Sequence, residues 1–480
     1  MSGADATTPD EAARPTRRRG GDRRTRRDPE AARAQLLAAG LDLAAEQSLG
    51  ETLGHLRIND LARGAGLTSG ASYHYWAGQD AYRNDVLEVL LAGERADADP
   101  ALFTVTEHAD GPARALDDLA RRAHEVLVAD PDHRLELALW AHQDPRALGR
   151  IRQRAAAADA TLGGVLADCL GRAGRRTTSG WDLVDLATTS VALSDGLRSQ
   201  HLIAPGAVTD RDDAGGRSWS TPGLLALLLV LGATEEGVAP GSPPVPEPGP
   251  RPATVEDNPR RRRLLDLGVA AARDRPTGNA FDHIRADDVA RRVGLTIGAF
   301  YHYWDSQEDY RDDLVDALFA AERYLDPGGI ADQDLAISEA DDLELAVRDT
   351  TSWYWAITIG HPDNRVQFAF YTLDDPYIAS RLSAWNAVLR QTWHTATETL
   401  LERFGRRWRD PLSTDLVVLG MSALLDGLVV RQGLGPVDLG PDADGWTRWG
   451  RACLAMVLAG SATEGDEADL ATVADEALEA

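Results

Sequence analysis

Lysine is missing from this 480-residue chain, whose 50 basic residues are all arginine. With the abundant alanine and glycine, this reads as GC-rich coding bias and carries no mechanism. Cysteine is nearly absent. Cys169 and Cys453 stand far apart, which excludes a disulfide framework and fits a reducing cytosol. No apolar run reaches the roughly 18–20 residues that cross a bilayer, and Leu224–Leu231 is too short, so no membrane is expected as a partner. The N-terminus is basic but no apolar segment follows, so it does not read as a signal peptide. Also lacking are GxxxxGK[ST], HExxH, CxxC and GxSxG, the spacings that cradle phosphate, hold zinc or present a nucleophile. No metal, no cofactor and no catalysis are therefore expected. The net charge is −26, which taken alone disfavours nucleic acid.

What is present is a long internal repeat. Tyr73-His74-Tyr75-Trp76 returns as Tyr301-His302-Tyr303-Trp304. Leu36–Arg95 aligns without a gap on Leu264–Arg323, with 27 identities in 60 positions, where chance gives roughly 6–9 %. The period far exceeds the about 20–50 residues of a solenoid unit, so each copy is domain-sized. Later landmarks keep the order: Asp144-Pro145 corresponds to Asp375-Pro376, and Leu193–Leu197 to Leu424–Leu428.

The expected organisation runs as follows. Residues 1–27 form a disordered arm holding eight arginines against one acid between Arg14 and Arg27, a composition that reads either as a solvated tail or as a nucleic-acid arm. Residues 28–96 form a first helical head and 97–236 an all-helical region broken by prolines. A linker with eight prolines at 237–259 follows, then a second head at 260–323 and a second helical region at 324–463. Residues 464–480, with seven acids and no base, read as a frayed tail. Within each head, two short helical segments flank a tight turn containing Gly66 or Gly294, a helix-turn-helix signature, and a longer helix follows, Gln79–Ala96 in the first copy. The fold class expected is all-α.

Leu67-Thr-Ser-Gly-Ala-Ser-Tyr-His-Tyr-Trp76 resembles the recognition helix of tetracycline-repressor (TetR) type transcription regulators, and Leu295-Thr-Ile-Gly-Ala-Phe-Tyr-His-Tyr-Trp304 resembles it again. Asp60-Leu61-Ala62 is similar to the family's pattern on the preceding helix, and Gly66 matches its turn glycine. The Leu-x-Asp-Gly-Leu run late in each copy resembles its dimerisation region. The resemblance implies two DNA-reading heads on one polypeptide, paired as an intramolecular pseudo-dimer, with a double-stranded DNA operator as partner and a small ligand that modulates affinity. DNA contact would then fall to Asn59, Thr68, Ser69, Ala71, Ser72, Tyr73, His74 and Gln79 in the first copy. In the second it would fall to Thr296, Ile297, Ala299, Tyr301, His302 and Gln307.

Departures from the family pattern bear on this. Its recognition-helix lysine is Ser69 and Ile297 here, and the lysine opening the next helix is Gln79 and Gln307. Each lost lysine removes a phosphate contact. The heads are also acidic, with five arginines against ten acids in 28–96 and eleven against twelve in 260–323. Neutralisation is therefore expected from arginines just before each head: Arg17, Arg18, Arg19, Arg23, Arg24, Arg26 and Arg27, then Arg260, Arg261 and Arg262, which could enter an adjacent minor groove. The competing reading is a ligand-binding or protein-interaction module whose heads no longer bind DNA.

The second copy is rich in aromatics beyond its head. They read either as ordinary core or as the wall of a pocket for a small apolar ligand. The candidates are Trp353, Trp355, Phe370, Tyr371, Trp385 and Trp393. Tyr75, Trp76, Tyr303 and Trp304 are expected to plug each head onto its next helix.

Overall fold

Alanine- and leucine-rich stretches between the prolines fold as helices, and the chain is mostly helical. The computed structural model describes residues 57–60, 76–91, 111–238, 285–319 and 330–479, except 131, 142, 144, 293, 331–334, 336, 360, 362–363, 374 and 436–438. In the first half α1 spans Gln79–Leu90, α2 Pro112–Ala129, α3 Asp132–Ala141, α4 Pro145–Arg172, α5 Leu183–Ile203 and α6 Thr221–Ala233. The second half holds α7 Ala286–Arg292, α8 Ile297–Phe300, α9 Gln307–Leu318, α10 Leu343–Thr358 and α11 Asn364–Phe370. It continues with α12 Pro376–Arg403, α13 Thr414–Leu434, α14 Arg448–Gly460 and α15 Leu470–Leu478.

Element lengths recur between the halves. The helices α4 and α12 have 28 residues each, α5 and α13 have 21, and α6 and α14 have 13. Local chemistry sets their starts. Asp182, Ser220, Asp375, Ser413 and Thr447 each accept a backbone N–H from the first turn of the helix that follows, satisfying donors that have no partner inside a helix. Pro222 and Pro376 sit in first turns where no N–H is needed.

Three antiparallel two-stranded pieces among the described residues correct the all-helical reading of 97–236 and 324–463. Strand β1 (Arg175–Thr177) pairs with β4 (Thr234–Glu236), β2 (Arg211–Asp212) with β3 (Ser218–Trp219), and β5 (Arg406–Trp408) with β6 (Ser461–Thr463). At two or three residues each, these strands are too short to show alternation in a sequence. The β1–β4 and β5–β6 pairs fasten the loop after each 28-residue helix to the end of α6 or α14.

The centre of the molecule is a four-helix contact, in which α5 packs on α13 and α6 on α14. Gly196 of α5 lies against the backbone of Ala423 on α13, and Gly427 against that of Ala192. The missing side chains let the two backbones meet. Leu193, Leu197, Leu424 and Leu428 close the crossing and are buried. Helix α13 is long and apolar enough to cross a membrane, yet 78 % of its apolar window is buried inside the molecule.

A second correction concerns 464–480, expected as a frayed acidic tail. Residues 470–478 form α15, which packs on α2 and α6. Leu470, Ala471 and Ala474 share one helical face and are buried, leaving most of the acids outside. Asp475 accepts a hydrogen bond from the backbone of Ala113 at 3.0 Å, at the start of α2. The run of acids hid an amphipathic helix.

Candidate functional sites

In the second head, Ala286, Val289 and Ala290 give α7 a buried face. Gly294 follows at φ +69°, a left-handed conformation that favours glycine. Thr296 then accepts a hydrogen bond from the Ala299 N–H at 3.2 Å and starts α8. Phe300, Trp304 and Tyr310 form a buried aromatic plug beneath that short helix, with ring centroids 4.7–5.0 Å apart. The Trp304 indole N–H donates to Asp313 of α9. The first copy has the same pair, the Trp76 indole N–H donating to Asp85 at 2.7 Å. Trp76 and Trp304 are buried as expected, and Tyr303 is half-buried.

This plug pushes the other side chains outward. Thr296, Ile297, Tyr301 and His302 are exposed together around α8, Ile297 at 42 % and Tyr301 at 47 %. Ala299 is half-buried beside them, and Gln307 is half-buried in the first turn of α9. No formal charge lies among the four. The flanks are acidic: Asp287 and Asp288 on α7 both hold Arg291. Burial, then the charges of Glu308, Asp309, Asp316 and Asp375, push the Asp312 carboxyl up. In the first head, Asn59 is half-buried, and Gln79 accepts a hydrogen bond from the Ile58 backbone at 2.9 Å, tying α1 to the segment before it. Thr68, Ser69, Ala71, Ser72, Tyr73 and His74 lie outside the described residues, as do Arg17, Arg18, Arg19, Arg23, Arg24, Arg26, Arg27, Arg260, Arg261 and Arg262.

The second-copy aromatics enclose a cavity in two chambers. The apolar chamber has about 490 Å³ of empty space, counting the part open to solvent, between α10, α12, α13 and α14. Ile337, Val347, Leu400, Met421, Trp449 and Cys453 are among its walls. The polar chamber, of about 700 Å³ by the same measure, lies between α10, α11, α12 and α13. Tyr354 and Trp393 line both, with their rings 5.3 Å apart, so they form the partition.

Of the expected ligand residues, Tyr371, Trp385 and Trp393 line the polar chamber. Trp353, Trp355 and Phe370 do not line either one. Trp355 and Phe370 pack in the core, and Trp353 is half-buried with its ring 5.0 Å from Tyr354. Helical period explains the split, because residues adjacent in sequence point to different sides of a helix.

Sequence reasoning missed the polar members of the wall: His361, Asn364, Gln367, Asn386, Ser422 and Asp426. Asp426 belongs to the Leu424–Leu428 run, read only as a pairing element. Gln200 of α5 donates to it at 2.7 Å. Burial raises the Asp426 carboxyl to about 7, despite this hydrogen bond and the positive charge of Arg390. The Tyr371 hydroxyl is raised well above its ordinary value, first by burial and then by Asp426.

The equivalent place in the first half is chemically different. Its smaller cavity is lined by His133, Glu136, Trp140, Asp195 and Arg431, among others. Arg154 pairs with Glu136 there. Arg431, reaching across from α13, binds both oxygens of Asp159 at 2.7 and 2.8 Å and lies 3.6 Å from Asp195. Arg198 lies 3.6 Å from Asp195 as well. At an offset of 231, Glu136, Arg154, Asp159 and Arg431 face Gln367, Trp385, Arg390 and Gln200. The first half thus carries an ion network where the second has an open aromatic chamber.

The chain matches no known family profile and no curated protein.

Proposed function

We propose that the chain is a TetR-type transcription regulator, duplicated within one polypeptide, that binds a double-stranded DNA operator and whose affinity is set by a small ligand. The observation that carries this reading is the arrangement around α8: Thr296, Ile297, Tyr301 and His302 exposed on and immediately beside one short helix that is seated from below by Phe300, Trp304 and Tyr310. A hydroxyl, a phenol and an imidazole reach phosphates or base edges without formal charge, and an isoleucine favours a thymine methyl. The recurrence of helix lengths and the packing of α5 on α13 support a pseudo-dimer within one chain, the isologous contact of a homodimer drawn from a duplicated sequence.

Helix α12 offers the mechanical link. Its first turns hold the head: Arg381 pairs with Asp316 of α9 at 2.7 Å, and the Tyr377 hydroxyl donates to the same carboxylate at 2.7 Å. Further along, Trp385, Asn386 and Trp393 line the chambers. A ligand that binds better to one position of α12 biases the position of the head, and so the population able to bind DNA.

Selection from random DNA, followed by titration of Ile297→Glu and Tyr301→Ala against the enriched site, tests the reading. Each variant is expected to lose about 1–3 kcal/mol of specific binding. Full-strength binding by both, or the absence of any enriched sequence, overturns it in favour of a ligand- or protein-binding module.

A further inference from the structure

Among the described residues, the wall of the polar chamber has one carboxyl group, Asp426, and no arginine, with His361, Tyr354 and Tyr371 the other ionisable side chains on it. Around it stand the rings of Phe368, Tyr371, Trp385 and Trp393. Gln200 accounts for a single hydrogen bond to one Asp426 oxygen, whereas a carboxylate accepts several. Arg390, on α12, is not part of the wall and makes no ion pair with Asp426 among the described residues.

The first half marks the contrast. There the equivalent carboxylate, Asp195, faces Arg198 and Arg431, and its chamber is crossed by the Arg154–Glu136 pair. A buried carboxylate costs several kcal/mol unless it is paired. In the first half the protein supplies that pairing. In the second, the charge of Arg390 acts on Asp426 without an ion pair among the described residues, and the wall supplies aromatic faces, which attract cations through their quadrupoles. A second observation points to a bound molecule. Trp393 is 6 % exposed and its Nε1 has no hydrogen-bond partner among the described residues, nor does the Gln367 Nε2; both are donors, so the molecule must also offer an acceptor oxygen beside its other groups. Both side chains line this chamber.

We propose that the polar chamber of the second half binds a hydrophobic organic cation, one per chain, with its ammonium group against Asp426 and its apolar part among the surrounding rings. This rests on the reading of the cavity as the ligand site of a regulator and gives that ligand a chemical class. The neighbouring apolar chamber lies beyond the Tyr354–Trp393 partition. The groups that act on Asp426 are Gln200 from α5 and the positive charge of Arg390 on α12, while Asp426 acts on the Tyr371 hydroxyl, which Asn386 hydrogen-bonds; no second carboxylate lines the chamber among the described residues.

The test is titration calorimetry on the full chain with three probes that share a 4-phenylbutyl tail: 4-phenylbutyltrimethylammonium, 5-phenylpentanol and 5-phenylpentanoate. One cation per chain is expected, bound at least about tenfold more tightly than the alcohol or the carboxylate, and Asp426→Asn is expected to abolish that preference. Since the quaternary probe does not titrate, its affinity should rise as Asp426 ionises, by up to about tenfold per pH unit below 7, and level off above. Equal binding of the three probes, preference for the carboxylate, a preference that survives Asp426→Asn, or no binding overturns the proposal. DNA binding is measured separately without probe. DNA binding with no cation preference leaves the regulator standing and sinks this inference. Cation preference without DNA binding does the reverse.

Discussion

Alanine at Gly427 should separate the two central helices. A Cβ there would lie 1.9 Å from the carbonyl oxygen of Ala192, and one at Gly196 would lie 1.6 Å from that of Ala423. Carbon and oxygen meet comfortably at about 3.3–3.6 Å, so α5 and α13 must move apart by more than an ångström. The obstacle is backbone in mid-helix and cannot rotate away. Replacing glycine by alanine in a helix interior otherwise gains about 1 kcal/mol. Overpacking costs about 1–3 kcal/mol, and a backbone obstacle belongs at the upper end of that range. The net expectation is a loss of roughly 2 kcal/mol for Gly427→Ala and a similar loss for Gly196→Ala. Both act on one crossing, so the double variant should lose less than the sum, with a coupling of about 0.5 kcal/mol or more. Gly149→Ala and Gly164→Ala on α4 are the controls, since nothing lies within 4 Å of a Cβ at either, and each should be stabilised by up to about 1 kcal/mol. Urea unfolding of the set, with unchanged slopes, gives these numbers directly. A Gly427→Ala protein as stable as the controls would refute the close crossing.

Deleting 470–480 should lower stability by roughly 3 kcal/mol, because Leu470, Ala471 and Ala474 lose their burial and the Ala113 N–H loses Asp475. A thermal scan showing no shift would restore the tail to an idle segment. Asp426 should make stability fall with rising pH. Its carboxyl is raised to about 7 in the folded chain, against about 3.9 unfolded. The folded state therefore holds the extra proton between these values. The stabilisation is full below about pH 4 and lost as pH rises to about 7, a change on the order of 4 kcal/mol. Relative to the wild type, Asp426→Asn should thus gain stability across that window. A difference that stays flat with pH contradicts the burial of this carboxyl.

The helical class and the burial of Trp76 and Trp304 were legible, because both tryptophans fall where the repeated motif places them. The polar half of the cavity was not. Asp426 sits in a run whose symmetry with Leu193–Leu197 drew attention to pairing, and no local pattern tells a buried carboxylate with an arginine partner from one without. Comparing the copies position by position carries that signal: Arg431 against Gln200, and Arg154 against Trp385, lie 231 apart. Helix α15 escaped because its apolar positions are mostly alanines among acids. The β-strands were too short to show alternation at all.

The proposed function requires that one chain carry both heads and occupy one operator by itself. Light scattering of the purified protein, alone and bound to its selected DNA duplex, measures this most directly. A monomer in solution and a complex of one chain per duplex are expected. A complex that requires two chains, with four heads on the DNA, contradicts it.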